Sequence, residues 1–106
     1  MITVTVFKDS GIYRGFRSQG HAGYAEEGYD IICSAVSVLT VNTVNSIEAF
    51  TEDGFSVEAD DGFLDFQLED VPTERTTLLM DSMVLGLQDI QNNYGNEYIK
   101  LIFEEV

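Results

Sequence analysis

The hydrophobic positions of this chain change period several times, and each change predicts an element. Ile2, Val4 and Val6 alternate with Thr3, Thr5 and Phe7, the period of a strand. Asp9-Ser10-Gly11 supplies turn chemistry and "IYRGFR" (12–17) alternates again, so the chain opens with a hairpin. Residues 18–30, "SQGHAGYAEEGYD", carry no period, and Gly20, Gly23 and Gly28 predict a long, flexible loop. Loops longer than about 12 residues in compact domains tend to be functional or disordered.

From Ile31 to Phe50 the apolar spacing becomes helical, with Asp30 expected as the N-cap and Cys33 as the third helical residue. Ile32, Ala35, Val36, Leu39, Ile47 and Phe50 group on a predicted core face, and Cys33, Ser37, Thr40 and Val44 on an adjacent, semi-polar one. A second hairpin follows in "FSVEADDGFLDFQLE", turning at Asp61-Gly62. Pro72-Thr73 opens another helix with Leu79, Met83, Leu87 and Ile90 as its stripe, ending between Asn92 and Gly95. Ile99, Leu101 and Phe103 then alternate against Tyr98, Lys100 and Ile102 in a closing strand. The order ββαββαβ predicts an α+β fold, a mostly antiparallel sheet packed with two helices, in one domain over residues 1–106. Val38, Val41 and Val44 fall off the core face of the first helix, so a homodimer is expected.

Composition narrows the function. An apolar fraction of 44% is that of a globular chain. Nineteen acidic residues against five basic ones give a net charge of −14, which repels nucleic acid and anionic membrane and attracts a basic protein. One cysteine excludes an internal disulfide, and one histidine with one cysteine excludes a closed zinc site of the usual kind, so no metal is expected. No phosphate-cradling or dinucleotide motif is present, and no cofactor is expected. The N-terminus lacks the core of a secretory signal, and the apolar stretch Ala35–Val41 is too short to span a bilayer, so the expected compartment is the cytoplasm. The pairs Glu26-Glu27, Asp60-Asp61 and Glu104-Glu105 read as solvated charge.

The single histidine and single cysteine, His21 and Cys33, fall twelve positions apart. A thiol in the first turn of a helix meets free amides and the positive end of the helix dipole, which favour the thiolate. An imidazole brought up by a glycine-containing loop would remove its proton and later protonate a leaving amine. Asp30 would act first as a cap and second as an orienter of the imidazole, and Ser37, one turn after Cys33, as a hydrogen-bond donor or an ordinary helix serine. From spacing alone, a lone cysteine on an apolar helix reads first as a small packed hydrophobe, ahead of a nucleophile. Tyr24, Tyr29 and Phe16 are the candidates for an apolar recognition pocket.

The segment "GHAGYAEEGYDIICSAVS", Gly20 to Ser37, resembles the signature of the ribosomal-processing cysteine proteases, a family of small bacterial proteins. The glycine-histidine-alanine opening, the glycine seven residues after the histidine at Gly28, and the run of aspartate, two aliphatics and cysteine at 30–33 all match. The resemblance implies His21 as base and then acid and Cys33 as nucleophile. It also implies a homodimer, and a substrate: the large-subunit ribosomal protein numbered twenty-seven, whose N-terminal extension is removed after an apolar, phenylalanine-rich stretch. Two other readings compete with it. An acidic dimeric module that escorts a basic ribosomal protein would need Cys33 only as packing, and a thiol redox sensor would lack a resolving cysteine.

Overall fold

The computed structural model describes residues 1–20, 27–95 and 97–106, apart from the side chains of 27–30. Seven elements follow the expected order: β1 (Ile2–Asp9), β2 (Ile12–Gln19), α1 (Glu27–Phe50), β3 (Phe55–Asp60), β4 (Phe63–Leu68), α2 (Glu74–Tyr94) and β5 (Ile99–Glu105). The strands form one sheet in the order β3-β4-β2-β1-β5. All neighbours are antiparallel except β1 and β5, which run parallel with Val4 opposite Leu101.

Alternation along the strands decides which face is covered. Ile2, Val4 and Val6 of β1, Phe16 of β2, Phe66 and Leu68 of β4, and Ile99 of β5 are buried, and they form one cluster with residues of both helices. The opposite face carries Arg17, which pairs with Asp65 at 2.6 Å and lies over the rings of Phe7 and Phe63. The helices therefore cover one face only.

α2 follows its pattern closely. Thr73 is its N-cap and Gly95, at φ +88°, ends it. Met83 and Leu87 are buried as expected, joined by Thr76, Met80 and Val84, while Leu79 and Ile90 pack at the margin of the core. Tyr13 and Asp81 tie β2 to α2 through a 2.5 Å hydrogen bond donated by the phenol. Burial first, then the hydrogen bond and charge of Asp81, raise the Tyr13 phenol well above the usual tyrosine range, so it stays a neutral donor.

α1 departs from expectation at both ends and along its core face. It begins at Glu27, so Asp30 lies inside its first turn and is not the N-cap, and Cys33 is the seventh helical residue, not the third. Gly28 does not stop the helix, because a single glycine costs only about 1 kcal/mol relative to alanine there. At the other end Phe50 is exposed. The buried stripe is Ile32, Val36, Thr40, Thr43, Val44 and Ile47, so Thr40 and Val44 belong to the core. The two threonines are tolerated because each hydroxyl donates back along the helix, Thr40 to the Val36 carbonyl at 2.9 Å and Thr43 to the Leu39 carbonyl at 2.7 Å. By length and hydropathy alone Ile31–Phe50 is apolar enough to cross a membrane, a longer stretch than Ala35–Val41. Its buried side is, however, packed into the core together with α2.

Candidate active site

Cys33 is half-buried at the flank of the core stripe, on the side of α1 that faces the β3–β4 hairpin. There the helix and sheet do not close. A groove of about 340 Å³ lies between them, lined on the helix side by Cys33, Val36, Ser37, Thr40 and Val41. Its other wall is the hairpin end from Ala59 to Leu64, with Ile2, Ser18 and Gly20 completing it. The thiol and the exposed Ser37 hydroxyl one turn later thus share an open groove, as their helical spacing requires.

The segment between β2 and α1 is shorter than the residue pattern indicated. Ser18 and Gln19 extend β2, pairing with Leu64 and Phe63 of β4, and residues 27–30 extend α1. Gly20 is the last described residue before His21, and it is held firmly. Its amide donates to the Gly62 carbonyl at 2.9 Å, its φ is +96°, and a Cβ there would run into the Met1 carbonyl oxygen. Glycine is needed at this position for conformation and close approach, and not for flexibility. Gly28 is a helix residue, and Gly23 lies outside the described residues, as do His21 and Tyr24. The chain therefore passes to His21 directly from the rim of the groove that contains Cys33.

Three expectations change with this geometry. The amides left free at the start of α1 belong to residues 27–30, one turn before Cys33, and the dipole effect falls off within that first turn. The helix start is therefore not the source of hydrogen bonds to a group at Cys33. Phe16 is fully buried in the core and is not part of the groove wall. The apolar walls come instead from Ile2, Val36, Val41, Phe63 and Leu64. Asp60 and Asp61 are exposed, as solvated charge should be, yet they also border the groove and give its mouth a negative rim. Sequence reasoning missed Ser18, Ile2 and the hairpin end as site residues. The one signal available was the Asp-Gly turn itself, which fixes where the hairpin ends but not what it faces.

An open groove with a half-buried thiol on one wall and carboxylates at its mouth leaves the sulfur within reach of a bound chain. The family model for cysteine protease Prp matches residues 1–100. The ribosomal processing cysteine protease Prp of Staphylococcus aureus is 32% identical, covering 98% of this chain and all of the relative. Its counterpart in Bacillus subtilis is 28% identical over 89% of this chain and 90% of its own length. The crystal structure of the S. aureus protease in complex with a covalently linked product peptide superposes with a TM-score of 0.87 at 31% identity, over 98% of this chain and all of that one. The protein is thus a cysteine protease. It belongs to the Prp family of ribosomal processing cysteine proteases.

Proposed function

We propose that Cys33 is the nucleophile and His21 the general base and acid of a peptide hydrolysis that removes the N-terminal extension of the large-subunit ribosomal protein numbered twenty-seven. The observation that carries this reading is the coincidence at one groove of the half-buried Cys33 and the fixed Gly20, the residue that precedes His21. The thiolate attacks the scissile carbonyl, and His21 protonates the departing amine. Water then hydrolyses the thioester with His21 as base. Ser37 offers its hydroxyl to the substrate from the same wall of the groove. Asp30, inside the first turn of α1, orients the imidazole in this scheme.

The surroundings suit that substrate. A net charge of −14 and the acidic rim at Asp60 and Asp61 attract a basic ribosomal protein, and the apolar walls accept the phenylalanine-rich stretch next to the cut. The same reading places the reaction in the cytoplasm, where ribosomal proteins are assembled. Ile31 and Val38 of α1 and Leu78 and Leu85 of α2, each 60% exposed or more, lie seven residues apart on helix faces opposite the buried stripes, and a second copy of the chain covers them in a homodimer.

The test uses the extended ribosomal protein, or a peptide spanning its cut, with the wild-type protein and the variants Cys33→Ala and His21→Ala. Wild type should cut once after the apolar stretch, and both variants should keep the wild-type circular dichroism while cutting undetectably. Unchanged cleavage by Cys33→Ala would remove the nucleophile from the scheme.

A further inference from the structure

We infer that the substrate's main chain is held as an added strand on the outer edge of β3, which delivers the scissile bond into the Cys33 groove. This rests on the proteolytic reading above and specifies how the peptide is gripped. Among the described residues, only β4 pairs with β3. The Glu69 amide donates to the Gly54 carbonyl at 3.0 Å, so Gly54 and Glu69 form a hydrogen-bonded pair and the alternation of an antiparallel ladder fixes the rest. Ser56, Glu58 and Asp60 turn their amides and carbonyls toward β4. Phe55, Val57 and Ala59 turn theirs outward, and among the described residues nothing bonds to them.

The opposite edge of the sheet is different. The Ile2 amide donates to the Tyr98 carbonyl and the Val106 amide to the Lys8 carbonyl, both at 2.9 Å. The even-numbered residues of β5 therefore face β1, and Leu101 faces outward. Its amide is already taken by the Gln91 side chain of α2, at 2.8 Å. Among the described residues, one edge is capped in its middle and the other is free.

The free edge leads into the site, because Ala59, the last outward-facing residue of β3, also lines the groove with Cys33. The side chains of β3 add a selection rule. Phe55, Val57 and Ala59 share the register of Leu68, Phe66 and Leu64 on the helix side of the sheet, whereas Glu58 and Asp60 lie on the other face. An added strand would meet apolar groups on one side and carboxylates on the other. The ligand class is thus an extended segment whose apolar residues alternate with polar or basic ones. The same carboxylates repel a second β3 edge and so disfavour self-pairing there.

The experiment is a scan in which each amide of a cleaved peptide is N-methylated in turn, read as kcat/KM with the wild-type enzyme. Strand addition predicts losses of about tenfold or more at every second residue, where the peptide amide would bond to β3, and small changes between. Val57→Pro removes one outward amide without touching the β4 ladder and should raise KM about tenfold with kcat little changed, while Phe103→Pro on the β5 edge should leave both within twofold. A scan without alternation, or wild-type kinetics for a folded Val57→Pro, overturns the inference. If Val57→Pro does not fold, the scan alone decides. Wild-type enzyme that cuts no peptide at all would instead overturn the proteolytic reading.

Discussion

α1 and α2 lie on the same face of the same sheet, yet the seams they form with the strands beside them are unlike. On the α2 side the seam is closed. Tyr13 bonds to Asp81 across it, Gln91 reaches the backbone of β5 at Leu101, and Met80, Met83 and Leu87 fill the space beneath. On the α1 side the seam opens into the groove, whose apolar walls carry a thiol, two serines and an acidic hairpin end. The contrast teaches that one small core has a closed side that serves stability and an open side where, in the proposed mechanism, the chemistry takes place. A thiol set in the closed seam would be inert packing, whereas at the open one a substrate can reach it.

Substitutions on the two sides should separate accordingly. The largest effect is expected at the open seam: Cys33→Ala should lower kcat/KM by about 10⁴-fold or more, with an unfolding midpoint in urea close to wild type. Met83→Ala at the closed seam should do the reverse, costing about 2–5 kcal/mol in urea unfolding while the fraction that stays folded cuts at the wild-type rate. Tyr13→Phe deletes a single hydrogen bond of that seam and should cost about 1 kcal/mol, again with kcat/KM unchanged.

The smallest effect concerns pH. The Thr76 hydroxyl, then the Thr73 amide, hold the Asp53 carboxyl below its ordinary value of 3.8. A carboxylate whose value is lowered by folding stabilises the fold above its unfolded value, and that contribution is lost as the pH falls through the folded one. Asp53→Asn should therefore be less stable than wild type by a constant margin between pH 5 and 7, and the margin should close below about pH 4. Urea unfolding at several pH values measures it.

The fold was largely legible because its elements are locally consistent. Asp9-Ser10-Gly11 and Asp61-Gly62 state their turns, and Thr73 and Gly95 bracket α2. α1 was less legible for two physical reasons. Gly28 looks like a break but is a tolerable cost inside a long helix, and Thr40 and Thr43 look polar but satisfy their hydroxyls within it. That Cys33 and Ser37 share one wall of the groove could be read from helical spacing, whereas His21, singled out by the motif, lies outside the described residues. The far wall could not. Ile2, Ser18 and Gly62 are brought to Cys33 by strand register and by the Gly20–Gly62 hydrogen bond, neither of which has a local signal.

The most direct test of the open seam as the reactive one is intact-mass spectrometry. The protein is mixed with a peptide that matches the residues before the cut and ends in a thiol-reactive ketone, and compared with the same peptide acting on Cys33→Ala. The account predicts a single adduct on Cys33, formed far faster than with a capped single-residue ketone, and complete loss of cleavage once it is formed. Full cleavage by the labelled protein, or equal labelling rates for the long and short reagents, would contradict it.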